Sequence, residues 1–131
     1  MSSISGIYTS KAPKPLPQFS QAVVCNGIVY CSGNIGWDPK TRVLVSDNAK
    51  EQAHQTLKNL EAILEEAGSS LRKVVKANIF LMKMDDFQAV NEAWDEFFTE
   101  DVIPKPCRTC VAVAQLPMGA SVEIECTAVL L

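Results

Sequence analysis

The chain has 131 residues, of which 47% are apolar and 21% are charged, so it can build one globular domain with a hydrophobic core. Its net charge of −3 and the absence of a basic run do not favour nucleic-acid binding. No apolar run approaches the ~20 residues of a membrane helix, and residues 1–15 lack the apolar segment of a secretory signal. Five cysteines, an odd number, argue against a disulfide framework and for a reducing compartment. We therefore expect a cytoplasmic protein, with the mitochondrion as the alternative.

A hairpin is the first predicted element of the sheet. Residues 11–18 hold three prolines and predict an extended loop. Two short apolar stretches then flank Asn26 and Gly27, a pair that tolerates the positive φ angles of a tight hairpin turn. The second of these strands is expected to end at Ser32 and Gly33.

Two amphipathic helices follow from apolar spacings of three and four. The first is expected to have Ser46 or Asp47 as its N-cap and Gly68 as its stop, and its apolar positions are Ala49, Ala53, Leu57, Leu60 and Leu64. The second can be capped by Asp85 or Asp86, and its apolar stripe consists of Phe87, Val90, Trp94, Phe97 and Phe98.

Three more strands complete the pattern at residues 74–83, 107–114 and 121–131. The order β-β-α-β-α-β-β predicts an α+β fold, in which one mixed sheet carries two helices on one face and residues 1–131 form a single domain. The strand at 74–83 is nearly continuously apolar, which predicts cover on both faces. A chain of this length has no third layer, so we expect other copies of the chain to cover part of the second face in a closed cyclic assembly.

The sequence "KPCRTCVAV" contains a Cys-x-x-Cys motif at Cys107 and Cys110. Alternating valines follow it, which is typical of a strand, and residues three apart in a strand point to opposite faces. His54 is the only histidine and no second cysteine pair exists, so neither a redox motif nor a metal site is expected.

The same alternation places Arg108 and Cys110 on one face of that strand. A guanidinium near the end of a sheet is suited to binding a carboxylate through paired hydrogen bonds. The alternative is a surface arginine that pairs with Glu123 or Glu125.

Three stretches together resemble the Rid (reactive intermediate deaminase, YjgF-type) family over about residues 10–130. They are "PCRTCVAVAQLP…VEIE", "YCSGNIGWDPKT" and "VVKANIFLMKMDDFQAVNEAWDEFF". The resemblance implies a chorismate-mutase-like fold, a homotrimer with clefts between subunits, and no cofactor. It also implies hydrolysis of enamine or imine acids such as 2-aminoacrylate to 2-keto acids and ammonia, an activity of the 2-iminobutanoate/2-iminopropanoate deaminase type.

Carried over residue by residue, the resemblance implies two catalytic residues. Arg108 corresponds to the residue that clamps the substrate carboxylate, and Glu123 to the acid that orients or activates a water. The substrate-binding positions it implies are Phe19, Ser32, Gly33, Asn91, Arg108 and Cys110. Phe19 stands where the family often has tyrosine, so a hydroxyl is missing from the expected water network.

Other functions fit parts of the same pattern. The chain could be a non-catalytic trimer that binds small carboxylates or a partner, or it could have a chaperone-like or ribonuclease role. Individual residues also have structural explanations: Glu123 as an ion-pair partner, Ser32 and Gly33 as a turn, and Asn91 as a helix-surface residue.

Overall fold

A computed structural model describes residues 3–131 of the chain. Its helices and strands are β1 (Ser5–Ile7), β2 (Ala22–Cys25), β3 (Ile28–Asn34), α1 (Ala49–Ala67), β4 (Val74–Leu81), α2 (Phe87–Phe97), β5 (Cys107–Ala112) and β6 (Val122–Val129). The predicted order is confirmed, with one strand added at the start. Strand β1 was not predicted because three residues are too few for an alternating pattern, and it is held by its pairing with β2.

The six strands form one mixed sheet in the order β1-β2-β3-β6-β4-β5. Only the β4–β5 pair is parallel; the other neighbours are antiparallel. The predicted hairpin joins β2 to β3, with φ angles of 53° at Asn26 and 76° at Gly27. This topology makes β5 an edge strand and places β6 inside the sheet.

Helix α1 begins and ends at residues that can satisfy its free backbone groups. Its N-cap is Asn48 rather than Ser46 or Asp47, because Asn48 Oδ1 accepts a hydrogen bond of 2.9 Å from the backbone N–H of Glu51. Gly68 ends the helix at a φ of 89°, as predicted.

A one-turn helix at Met84–Asp86 leads directly into α2. Asp86 occupies the N-cap position of α2, but its side chain makes no capping hydrogen bond, so the predicted side-chain cap is not formed. No helix among residues 3–131 is long and apolar enough to span a bilayer.

Both helices cover the same face of the sheet and bury the core against it. Residues at alternate positions of β6 are buried on this face: Val122, Ile124, Cys126 and Ala128. Their neighbours Glu123, Glu125 and Thr127 point to the other face and are only partly buried. Within one chain β4 is likewise covered on the helix face alone, because Asn78 and Phe80 remain partly exposed. The prediction of cover on both faces is therefore not met by a single chain.

Candidate active site

Strand β5 holds Arg108 and Cys110 on the face covered by the helices. Arg108 is in register with Ala77, and Cys110 with Ile79, and both β4 residues are buried under the helices. Cys107 is exposed and in register with Lys76, on the opposite face. The two cysteines of the motif therefore diverge as predicted.

The cysteines and acids of residues 3–131 form no cluster that could hold a metal ion. All five cysteines are free thiols. Because the side chains of Cys107 and Cys110 point to opposite faces of β5, the two thiols do not converge, and Arg108 lies between them in the strand.

Two aromatic rings of α2 hold the guanidinium of Arg108. Its Cζ lies 5.0 Å from the ring centroid of Trp94 and 5.7 Å from that of Phe87, which are cation–π distances. Trp94 is itself stacked on Phe98 at 4.0 Å, with 18° between the ring planes. The rings fix the position of the charge and leave the N–H groups of the fork for another partner.

No ion pair satisfies Arg108 within the described part of the chain. Glu125, one of the two acids considered as its partner, accepts a 3.3 Å hydrogen bond from Asn78 on the other face of the sheet. Glu123 also points to that face. The alternative of a surface arginine paired with either acid is therefore wrong for a single chain.

Two more of the predicted site residues lie near Arg108. Asn91 follows Phe87 by one helical turn and precedes Trp94 by another, so it lies on the same side of α2 as the two rings. Burial raises the pKa of the Cys110 thiol, while the charge of Arg108 acts in the opposite direction. We call Arg108, Cys110, Asn91, Phe87 and Trp94 the arginine cluster.

A separate cavity of about 360 Å³ contains Glu123, and we call it the glutamate cavity. It lies on the sheet face away from the helices, between the N-terminal loop, the end of β3 and the turn before β6. Its walls include Lys14, Leu16, Phe19, Ser32, Gly33, Ile35, Trp37, Met118 and Glu123. Three predicted site residues, Phe19, Ser32 and Gly33, thus share one cavity with Glu123.

A β-bulge shapes the β3 side of this cavity. The register of β3 against β6 shifts between Cys31 and Asn34, so Ser32 and Gly33 form the irregular segment. The hydroxyl of Ser32 donates a 2.6 Å hydrogen bond to the carbonyl oxygen of Ser20. The prediction that β3 ends at Ser32 and Gly33 is wrong, since the strand continues beyond the bulge to Asn34.

The bulge brings Gly33 against the carboxyl group of Glu123. A β-carbon at Gly33 would lie 2.6 Å from Oε2 of Glu123 and 2.9 Å from its Cδ, so any side chain at Gly33 would require the Glu123 carboxyl group to shift. Burial, and secondly the charge of Glu125, raise the pKa of Glu123. The raised pKa makes the protonated form of Glu123 more accessible than that of an ordinary glutamate, which suits proton exchange.

The predicted site residues thus divide between two places. The arginine cluster lies at the edge strand on the helix face, and the glutamate cavity lies on the opposite face. Sequence reasoning missed the rings of Phe87 and Trp94 under Arg108 and the cavity walls at Leu16 and Met118. The aromatic stripe of α2 was visible in the sequence, but it was interpreted as core.

The fold and the two groups of residues define a chorismate-mutase-like α+β domain. Its edge strand carries an arginine that has no ion-pair partner within the described residues, and its open sheet face carries a half-buried glutamate. The Endoribonuclease L-PSP family model matches residues 9–130, and the chain belongs to that family. The resemblance to the Rid proteins is thereby confirmed.

Three relatives illustrate the match. A protein of Dermatophagoides farinae named 2-iminobutanoate/2-iminopropanoate deaminase is 41% identical over 119 residues, which cover 91% of each chain. The crystal structure of RidA from Psychrobacter sp. PAMC 21119 has a TM-score of 0.90 and 42% identity, and the match covers 96% of this chain and 99% of that one. The structure of E. coli TdcF with bound serine has a TM-score of 0.89 and 35% identity, covering 95% and 98%.

Proposed function

We propose that this protein hydrolyses reactive enamine and imine acids, such as 2-aminoacrylate, to 2-keto acids and ammonia, at a site shared by two copies of the chain. The observation that carries this proposal is the unpaired guanidinium of Arg108, fixed on two rings and separated from Glu123 by the sheet. The deaminase named among the relatives and the serine bound to TdcF support a small carboxylate as ligand.

Arg108 would anchor the substrate. A carboxylate can accept two parallel hydrogen bonds from the guanidinium fork, and such a charge-assisted pair is both strong and directional. The cation–π contacts with Trp94 and Phe87 restrict the rotation of the side chain before the substrate arrives. Less conformational entropy is then lost on binding.

Glu123 would move the protons of the hydrolysis. The enamine first tautomerises to the imine, after which the oxygen of a water attacks the imine carbon. Glu123 accepts a proton from that water and passes it to the nitrogen, which gives a carbinolamine. Glu123 then transfers the hydroxyl proton of the carbinolamine to the nitrogen, the carbon–nitrogen bond breaks as the keto group forms, and ammonia leaves. A pKa raised by burial suits this exchange, and general acid–base help of this kind contributes about 10²–10⁴ in rate. No step needs a cofactor.

Two copies are required because one chain holds the anchor and the acid on opposite faces of its sheet. A second copy that docks its β5 edge beside the first copy's glutamate cavity would bring Arg108 and Glu123 together. This arrangement is heterologous, so a closed ring, such as the homotrimer that the family resemblance implies, satisfies every copy. It would also cover part of the open sheet face.

The direct test is the release of pyruvate and ammonia from 2-aminoacrylate, generated in situ by a pyridoxal-phosphate dehydratase acting on L-serine. We expect the wild-type protein to accelerate the release and Arg108→Ala to lower kcat/KM by about 100-fold. Equal rates for the wild type, the variant and buffer would refute the enzymatic function.

Two further measurements, pyruvate binding and RNA integrity, separate the alternatives. A non-catalytic carboxylate-binding protein would bind pyruvate in an Arg108-dependent way without turnover. A ribonuclease would degrade RNA, whereas we expect RNA to stay intact because the chain carries a net charge of −3. We propose that the finer activity is of the 2-iminobutanoate/2-iminopropanoate deaminase type.

A further inference from the structure

A cavity of about 340 Å³ lies between the N-terminal loop and the turn that follows β3. We call it the Arg42 cavity, and its walls are Tyr8, Ser10, Ala12, Pro13, Lys14, Trp37, Pro39 and Arg42. It adjoins the glutamate cavity, with which it shares Pro13, Lys14 and Trp37. Neither Glu123 nor Arg108 lines it, so the proposed hydrolysis does not use it.

The Arg42 cavity is cationic, although the chain carries a net charge of −3. Its walls include Lys14 and Arg42 and no acidic residue. Within residues 3–131, neither of these two side chains forms an ion pair or a hydrogen bond. The cavity on the other side of Ser10 and Pro39 has as many acids as lysines in its walls, so its charge selects no sign of ligand. Two cations without a partner at the Arg42 cavity indicate an anionic ligand, such as a phosphate group with its charge of about −1.5 to −2 at pH 7.

Two aromatic rings line the same cavity. Tyr8 is 57% exposed and Trp37 is partly buried, and neither stacks on another aromatic ring within residues 3–131. An aromatic ligand stacks favourably on such rings while its anionic group binds a neighbouring cation. The volume lies at the lower end of the roughly 300–1,000 Å³ found for small-molecule pockets, which suits one small ring system with a single phosphate.

A buried glutamine fixes the loop that carries Tyr8 and Lys14. Nε2 of Gln21 donates to the carbonyl oxygens of Thr9 (3.0 Å) and Pro13 (2.9 Å), and its Oε1 accepts from the Thr9 backbone N–H (2.8 Å). This wall is therefore formed before a ligand binds, which lowers the entropic cost of binding.

The opposite wall is fixed in a similar way. Asn59 is buried, and its Nδ2 donates a 2.9 Å hydrogen bond to the carbonyl oxygen of Trp37. Oδ1 of Asp38 accepts a 2.7 Å hydrogen bond from the backbone N–H of Lys40, and the Asp38 carbonyl oxygen accepts one of 2.9 Å from the backbone N–H of Arg42. These bonds hold the turn that presents Arg42 to the cavity and leave its guanidinium for a ligand.

We infer that the Arg42 cavity binds a small aromatic phosphate. The phosphate oxygens accept hydrogen bonds from the guanidinium of Arg42 and the ammonium of Lys14, and the ring lies against Tyr8 and Trp37. Nucleoside monophosphates and phosphorylated pyridines share this chemistry. The inference goes beyond the proposed function, because the ligand is bound without reaction and at residues that the hydrolysis does not need.

The test is calorimetric titration of the whole protein with two aromatic phosphates. They are adenosine 5′-monophosphate and pyridoxine 5′-phosphate, which lacks an aldehyde and so forms no imine with lysine. Adenosine, pyridoxine and inorganic phosphate are the comparison ligands. We expect at least one aromatic phosphate to bind saturably and about tenfold or more tightly than its parent ring or phosphate alone, because each part loses one set of contacts. The tighter of the two identifies the source of the ligand.

Two outcomes of the titration would overturn the inference. In the first, neither aromatic phosphate binds saturably. In the second, inorganic phosphate or the parent ring binds as tightly as the aromatic phosphate, so that the cavity does not read both parts together.

Variants of the walls test the position of the ligand. Arg42→Gly should weaken binding of the aromatic phosphate by about tenfold or more, since one charge-assisted contact is lost. Glycine accepts the φ of 60° found at Arg42, so this variant should keep its thermal stability. Tyr8→Leu should weaken binding several-fold. Lys73→Ala, which removes an exposed cation outside the cavity, is the control and should bind as the wild type does. An unchanged affinity in Arg42→Gly would overturn the inference.

One further variant separates the two neighbouring cavities. Phe19 lines the glutamate cavity and not the Arg42 cavity, so Phe19→Ala should leave the affinity for the aromatic phosphate within about twofold of wild type. If Phe19→Ala weakens binding as much as Arg42→Gly does, the ligand occupies the glutamate cavity and the inference is wrong. Since binding is measured without turnover, the result does not depend on the proposed function.

Discussion

Gly33 lies so close to Glu123 that a β-carbon on the glycine would stand 2.6 Å from Oε2 of the carboxylate. The β-bulge in β3 creates this contact, and the contact determines where the acid points. The absence of a side chain at Gly33 is therefore a condition for the position of Glu123.

Replacing Gly33 with alanine should displace the Glu123 carboxyl group without disturbing the core. We expect kcat/KM to fall by about tenfold or more, because a shift of about 1 Å in a catalytic group can cost up to 10²-fold. Gly6→Ala is the matched control, since its nearest atom, Ser20 Oγ, would be 3.9 Å away. Equal activity of Gly33→Ala and Gly6→Ala would show that the contact does not position the acid.

Replacing Glu123 with glutamine should separate catalysis from folding. We expect kcat/KM to fall by about 10²–10⁴, because the proposed proton carrier is lost while the shape of the side chain is kept. Circular dichroism should show a folded protein. Activity within about twofold of wild type would contradict the role of Glu123 in proton transfer.

The pH dependence of stability offers an independent check on Glu123. Burial raises its pKa above the ordinary value of 4.5, so the folded state binds the proton more tightly than the unfolded state. The stability contributed by Glu123 is therefore present below pH 4.5 and declines as pH rises through the folded pKa. Relative to Glu123→Gln, the wild type should lose thermal stability as the pH rises above 4.5. A difference in Tm that stays constant over this range would contradict the raised pKa.

The rings under Arg108 should affect substrate binding more than chemistry. Phe87 is 37% exposed, so Phe87→Leu removes a cation–π partner with little loss of core packing. We expect KM to rise several-fold with kcat nearly unchanged, because the guanidinium is less well positioned for the carboxylate. Gln88→Ala, an exposed substitution in the same turn of α2, is the control. A fall in kcat at constant KM would assign Phe87 a different role.

Much of the fold was predictable because strand alternation, turn residues and helix stops depend only on residues close together in the chain. Alternation along β5 placed Arg108 and Cys110 on one face, the Asn26–Gly27 pair predicted the hairpin, and Gly68 ended α1. The helix start at Asn48 was missed because neighbouring polar residues look equally suitable in the sequence. Only the geometry shows which side-chain oxygen reaches the backbone N–H of Glu51.

The site was only partly predictable because its parts come from distant segments. The family resemblance supplied Arg108 and Glu123, but the sheet register was needed to show that they lie on opposite faces. The wall at Met118 depends on a strained turn, and the support under Arg108 depends on how α2 packs beside β5. The turn at Met118 leaves no pattern in the sequence, and the aromatic stripe of α2 does not show which of its rings lie under Arg108, since both features arise from tertiary packing.

The most direct measurement is complementation between two inactive variants. The Arg108→Ala variant retains Glu123, and the Glu123→Gln variant retains Arg108. Each variant alone should be at least about 100-fold less active than wild type. When the two variants are co-expressed in equal amounts and mix freely, half of the copies carry Arg108 and the other half carry Glu123. Each shared site needs Arg108 from one copy and Glu123 from its neighbour, so about a quarter of the sites should be complete. We predict recovery of about a quarter of the wild-type deaminase activity. If mixed assemblies form but stay as inactive as the separate variants, Arg108 and Glu123 of two copies do not build one site.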